Sequence, residues 1–370
     1  MASDSIVIVG AGIIGLDVAI VLSEQGHGKS ITVIAEYLPG DTASSYTSPW
    51  AGCNFSAISG TDAYAIKWDM HGYKHLRKLA SENSEKTFVK KTPSIEYWDD
   101  NVPHDKIKAM GNYLEDASLG LNVQFPVMSS NTKGFQFRVL PIKDLPEGVK
   151  FGCAFTTLTI NAPEHCQYLH NRLRDEYGVT FVRKRLPSIH AAYGSPTTKV
   201  VFNCIGLAAE TLEGVQDNKC YPTRGQVLLA RAPQVKTNVM RHGRDYVTYV
   251  IPRPVSNGNV ILGGYMQKGV GNSSTYSHES ESILERTIGL SVELQKRDPE
   301  VLAAFAGLRP SREDGARIER SLISVNGEDR PIVHNYGAGG TGFQAGYGMA
   351  LDAVKSIEDI LSAIPIRPSL

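Results

Sequence analysis

Apolar residues run along the chain in two rhythms. Ser5 to Val9 (SIVIV) is an unbroken run rich in β-branched side chains, followed at once by glycines and then by Leu16, Ala19, Ile20 and Leu22 at helical spacing. A short continuous run reads as a buried strand and the later spacing as a helix, so the opening predicts strand, tight turn, helix. After Gly26, Ser30 to Ala35 (SITVIA) predicts a second strand, which completes a Rossmann-like βαβ unit. Lys199 to Ile205 (KVVFNCI) and Arg330 to Val333 read as further buried strands, each ending near glycine. In open α/β sheets ligands bind beyond the carboxyl ends of the strands, so these ends can gather around one ligand.

The intervening segments differ in character. His165 to Tyr177 has helical periodicity, and Tyr246 to Gly264 predicts two short strands about a turn at Ser256, Asn257 and Gly258. Glu279 to Lys296 predicts an amphipathic helix, and Met349 to Leu361 a closing one. No internal repeat is visible. The pattern predicts an α/β chain that crosses more than once between a nucleotide domain (1–56, 150–215 and 302–370) and a mixed-sheet substrate domain (57–149 and 216–301).

At 370 residues there is material for two domains. The 38 basic residues balance 38 acidic ones, which argues against a nucleic-acid partner while leaving room for a local cationic pocket. Cys53, Cys153, Cys166, Cys204 and Cys220 form no C-x-x-C pair and are odd in number, so they read as reduced thiols in an intracellular protein. No apolar stretch is long enough for a transmembrane helix. Asp4 and Asp17 flank an N-terminal run without a basic leader, against a secretory signal. The ending Pro368-Ser369-Leu370 shares only its leucine with the peroxisomal S-K-L signal, so a peroxisomal or a cytoplasmic address is expected. The histidines show no metal-ligand spacing, and no metal is expected.

Gly10, Gly12 and Gly15 stand in G-x-G-x-x-G spacing between the first strand and helix. There Gly10 permits the turn, Gly12 lets the backbone approach a pyrophosphate, and Gly15 lets helix and sheet pack closely. The helix N-terminus offers free N–H groups to the anion. Glu36 follows Gly15 by 21 residues, at the end of the second strand, where a carboxylate accepts from ribose hydroxyls and repels a 2′-phosphate. That favours FAD or NAD over NADP and does not separate a flavoenzyme from an NAD-dependent dehydrogenase.

Later motifs make the separation. SPWAGCNF (48–55), FTTL (155–158), APEHCQYL, VFNCIGL, YPTRGQVLL (221–229), YVIPRP (249–254), GLRP (307–310) and HNYGAGGTG (334–342) occur in one order along the chain. In them the sequence resembles the D-amino acid oxidase and D-aspartate oxidase family, the fungal members above all. The resemblance implies noncovalent FAD, hydride transfer from the substrate Cα to flavin N5, and reoxidation by dioxygen to hydrogen peroxide. It implies a D-amino acid and dioxygen as partners, no membrane, and leaves a homo-oligomer open. The cofactor carries the chemistry while the protein positions and polarises.

By the same resemblance Arg309 clamps the substrate α-carboxylate, Tyr249 donates a second bond to it, and Gly340 contacts the amine. Bidentate geometry suits arginine to that task. The FAD contacts implied are Gly10, Gly12, Ile13, Ile14, Gly15, Glu36, Thr42, Ser44 and Ser45 toward the nucleotide and Ala51, Gly52, Cys53 and Asn54 along the ring. Leu186, Gly206, Gly337, Gly339, Gly340, Gly342, Phe343 and Gln344 complete them.

The segment RAPQVKTNVMRHGRDYVTYVIP is similar to the D-aspartate oxidase branch, in which an arginine before the pocket strand reads the side-chain carboxylate. Arg241 matches it, with Arg244 as the competitor. That branch carries an arginine where this chain has Met266 and a serine where it has Gly340. Met266 leaves an adaptable apolar wall. D-Aspartate is the expected substrate, with neutral D-amino acids as the alternative and NAD-dependent dehydrogenation as a remote one.

Overall fold

The computed structural model describes residues 5–56, 62–104, 106–107 and 138–366. The chain opens with β1 (Ile6–Val9), α1 (Ile13–Glu24) and β2 (Ile31–Ala35), followed by α2 (Ala63–Thr87), β3 (Val89–Trp98) and β4 (Arg138–Val139). Then come β5 (Phe151–Ile160), α3 (Ala162–Asp175), β6 (Thr180–Arg183) and β7 (Val200–Asn203). The middle of the chain supplies β8 (Cys220–Arg231), β9 (Asn238–His242), β10 (Val247–Pro252), β11 (Asn259–Gly263), β12 (Gln267–Lys268) and α4 (Ser277–Leu290). It closes with β13 (Glu300–Arg312), β14 (Arg317–Val325), β15 (Glu328–Tyr336), α5 (Gly342–Lys355) and α6 (Glu358–Leu361).

Two sheets result. The smaller runs β14-β15-β7-β1-β2-β6, parallel except where β14 pairs antiparallel with β15. β1, β7 and β15 are therefore neighbours, and their carboxyl ends do meet. Every residue of β1 and β7 is buried, as continuous apolar runs in a covered parallel sheet require. α1 is apolar almost all round because it lies beneath other helices: Leu16, Val18, Ala19, Ile20 and Leu22 are wholly buried in a core shared with Leu169 of α3 and Ala350 and Ala353 of α5.

The larger sheet runs β12-β8-β11-β10-β9-β3-β5-β4, with β13 on the other edge of β8. β5 and β13 belong here, so residues 151–160 and 300–312 leave the nucleotide unit to which the sequence pattern assigned most of them. The predicted hairpin forms as β10 and β11.

Two helices end elsewhere than the periodicity suggested. α4 stops at Leu290 instead of continuing to Lys296, because Glu293 turns back to accept from the N–H groups of Lys236 and Thr237, at 2.9 and 3.0 Å. The closing helix begins earlier, at Gly342, and breaks between Lys355 and Glu358. Among the described residues no helix is long and apolar enough to cross a membrane. The residues 368–370 lie outside the described residues.

Candidate active site

The first half of the site is the start of α1. Gly10 has φ +106°, a left-handed conformation, and a Cβ there would lie 2.4 Å from the Cys204 carbonyl oxygen. A Cβ at Gly15 would fall 2.0 Å from the Gly10 carbonyl oxygen, so the helix can approach the turn only with hydrogen at that position. This is a cradle that side chains would fill, and it fits a dinucleotide pyrophosphate. Glu36 follows β2 directly and is exposed, with Arg185 Nε 3.7 Å from Oε2.

Sequence reasoning missed Ser48. Its Oγ accepts from the Ile13 N–H at 2.9 Å and would lie 3.0 Å from a Cβ at Gly12, so it closes the cradle from the side. The flanking turn is fixed by Tyr46, whose hydroxyl donates to the Ala11 carbonyl at 2.7 Å, and by Trp50, whose Nε1 donates to the Ala43 carbonyl at 3.0 Å. Thr42, Ser44 and Ser45 lie exposed on this loop. Ala51, Gly52, Cys53 and Asn54 follow. Burial pushes the Cys53 thiol up, so it is a neutral packing group.

The rim opposite is glycine-rich. Gly206 lies three residues beyond the end of β7, while Gly337 and Gly339, both at positive φ, lead from β15 through Gly340 to Gly342 at the start of α5. Ile13 is buried, and Ile14 and Phe343 pack against the same core. Leu186 is buried in a separate cluster with Val7 and Val9. Gln344 is committed within the protein: its Oε1 accepts from the Ser56 N–H at 3.2 Å and its Nε2 donates to Asp69 at 3.1 Å. His165 and His334 are internal too. His165 Nδ1 is 2.7 Å from the Thr87 carbonyl oxygen, and His334 Nδ1 is 3.0 Å from Asn203 Nδ2.

The second half lies on the larger sheet. Tyr249 is buried on β10 with its ring laid over the backbone of Gly263 and Gly264; a Cβ at either position would fall within 2.6 Å of the ring or its hydroxyl. Arg309 on β13 reaches across β8 above Gly225, donates from Nη1 to the Tyr265 carbonyl at 3.1 Å, and sets its charge near the Tyr249 hydroxyl. Burial pushes the Tyr249 phenol up and the Arg309 charge opposes this, so the phenol stays protonated and available as a donor. The fold thus brings together a cation and a neutral donor whose sequence separation is 60 residues. A carboxylate suits that pair.

Arg241 is not brought to this clamp. The β9–β10 register sets Met240 opposite Tyr249 and Arg241 opposite Thr248, so Arg241 projects from the other face of the sheet. There its Nε donates to Asp99 at 2.8 Å and its Nη2 to the Glu147 carbonyl at 3.1 Å. Arg244 is exposed, 3.8 Å from Asp100, and Met266 is two-thirds exposed. Met240 is the residue on the Tyr249 face, with its Sδ 3.2 Å from Asn54 Nδ2. Among the described residues no cluster of His, Cys, Asp and Glu could hold a metal ion.

Comparison with known proteins gives concordant results. A family model described as FAD dependent oxidoreductase matches residues 5–355. A D-amino-acid oxidase of Schizosaccharomyces pombe is 43% identical over 354 residues, 94% of each chain. A D-aspartate oxidase of Homo sapiens is 29% identical, covering 98% of this chain and 97% of its own length. Among solved structures, L-proline dehydrogenase from P. horikoshii superposes with a TM-score of 0.71 at 15% identity, over 96% of this chain and 93% of that one.

Proposed function

The chain belongs to the family of FAD dependent oxidoreductases, and we propose that it oxidises D-amino acids, neutral ones in preference to acidic ones. The observation that carries this reading is the face shared by Tyr249, Arg309 and Met240, from which Arg241 is turned away. FAD, when bound, supplies the hydride acceptor, and dioxygen regenerates it with release of hydrogen peroxide.

The protein's share is placement. Arg309 and Tyr249 bind the α-carboxylate, and two fixed donors orient the Cα–H bond as a single one could not. Buried apolar groups around Tyr249, namely Val227, Met240, Val247 and Ile261, exclude water and disfavour an acidic side chain. An acidic side chain entering there finds Arg241 on the opposite face and already paired with Asp99, and an unpaired buried carboxylate costs several kcal/mol. The 43% identity to a D-amino-acid oxidase supports the same choice over D-aspartate.

A peroxide-release panel tests the reading. D-Alanine and D-methionine are expected to be turned over at least about tenfold more efficiently than D-aspartate, and the L-enantiomers not at all. A preference for D-aspartate overturns the substrate choice, and reaction with L-amino acids overturns the stereochemical one.

A further inference from the structure

A row of paired residues continues beyond the clamp. Gly263 is opposite Tyr249, Tyr249 opposite Met240, and Met240 opposite Glu96 of β3, so all four positions present the same face. Two residues further along the same strands, Trp98 is opposite His242, and their rings stack at 4.7 Å.

Glu96 is unusual on such a face. Its side chain is fully buried, and its Oε2 accepts from Ser56 Oγ at 2.9 Å and from His242 Nε2 at 3.0 Å. Its Oε1 has no hydrogen-bond partner among the described residues. A carboxylate oxygen only accepts, so the imidazole donates from Nε2, and the singly protonated tautomer that does so presents its Nδ1 lone pair as an acceptor. His242 keeps 14% of its side chain exposed, whereas Glu96 keeps none. The pair therefore places an imidazole edge at the surface with a buried carboxyl group behind it. Burial lowers the Lys106 pKa, and the attraction of Glu96 and Asp69 opposes this.

Resting on the reading of Arg309 and Tyr249 as the α-carboxylate clamp, we infer that Glu96 and His242 form a distal subsite for a cationic substrate side chain, that of a long basic D-amino acid. From β11, over which the Tyr249 ring of the clamp lies, to β3 is three strand spacings, roughly 14 Å before the sheet's twist is counted. Only a long side chain spans that gap. D-Arginine reaches furthest, D-lysine less far, and D-ornithine falls short. Met240, between clamp and subsite, packs on the aliphatic stem.

The test compares each basic substrate with D-norleucine, which has a similar stem and no charge, on the FAD-loaded enzyme. A charge-assisted bond corresponds to about a ten- to hundredfold gain, so kcat/KM for D-arginine should exceed that for D-norleucine by at least about tenfold, and the order should run D-arginine, D-lysine, D-ornithine. E96Q keeps the shape and removes the charge, and it should collapse the D-arginine to D-norleucine ratio to about one. Measuring both substrates on one preparation of known FAD content makes the ratio independent of any loss of folded protein. Equal efficiencies in the unmutated enzyme overturn the subsite, as does a ratio that survives E96Q, while oxidation of D-norleucine in those cases leaves the clamp reading standing. Failure to oxidise any D-amino acid overturns both.

Discussion

The guanidinium of Arg309 occupies the space that a side chain at residue 225 would need: a Cβ on Gly225 would lie 2.1 Å from Nη1 and 2.6 Å from Nη2. A glycine one strand away thus makes room for the charge proposed to hold the substrate. Gly225→Ala should push Arg309 off the Tyr265 carbonyl and raise KM for D-amino acids at least about tenfold, the value of one charge-assisted bond. Bound FAD, read from its visible spectrum, should stay at one per chain. An unaltered KM would mean that Arg309 does not need that position to bind substrate.

Removing either member of the clamp should have unequal effects. Tyr249→Phe deletes a neutral donor, which contributes about 0.5 to 1.5 kcal/mol, and should raise KM by up to about tenfold. Arg309→Met removes the charge and should lower kcat/KM by well over a hundredfold for every D-amino acid, since it also strips the Tyr249 hydroxyl of its neighbour. Steady-state kinetics on both variants check the order, and a larger loss in Tyr249→Phe would reverse the roles assigned here.

The sequence made the nucleotide half readable because its signals are local. A strand, three glycines, a helix and an acid within 36 residues fix one another, and the structure places each as the spacing requires. The larger sheet was harder. Whether Arg241 or its neighbour Met240 faces the substrate depends on register, and a shift of one residue reverses the face of every side chain on β9. Family likeness reached the right strand without settling its phase. Gly225, in the middle of YPTRGQVLL, acts through β13, more than 70 residues downstream, and no local pattern announces such a partner. Ser48 was hidden in the same way, since its target, the Ile13 N–H, lies 35 residues upstream. α2 and β3 carry no motif and were not foreseen.

Stability should fall in mild acid. His165 is buried on α3 and burial lowers its pKa to about 4, while His334, lowered by burial and by Arg317, also lies at about 4. Both are neutral when folded at pH 7, and the unfolded chain takes up their protons first as the pH drops below about 6.5. The folded state therefore keeps its full stability above that pH and loses it progressively from there down to about 4. His165→Gln retains a donor for the Thr87 carbonyl and cannot titrate, so it should flatten part of this slope. Urea unfolding at pH 7.5, 6 and 5 measures it, and identical slopes in the two proteins would exclude His165.

One buried ion pair should dominate the stability of the larger sheet. Arg224 on β8 is wholly buried, with Nη1 2.8 Å from Glu279 on α4. Arg224→Met alone leaves Glu279 buried without its counter-charge and should cost about 3 to 5 kcal/mol. Removing both charges, with Glu279→Leu added, should recover much of that loss. Chemical denaturation of the single and double variants checks the sign, and additive losses would show that the pair is not coupled.

The turn from Thr47 to Trp50 has a mechanical consequence. Ser48 holds the first N–H of α1, and its neighbour Thr47 donates to the Leu308 carbonyl at 2.8 Å, one residue before Arg309. Trp50 meanwhile lies against Gly307 and the ring of Phe305 on the same strand. These four residues act as a strut between the phosphate cradle and the carboxylate clamp, too short to fold or stretch. A displacement at one end should be answered at the other, so on the proposed reading seating the nucleotide also sets the aim of Arg309.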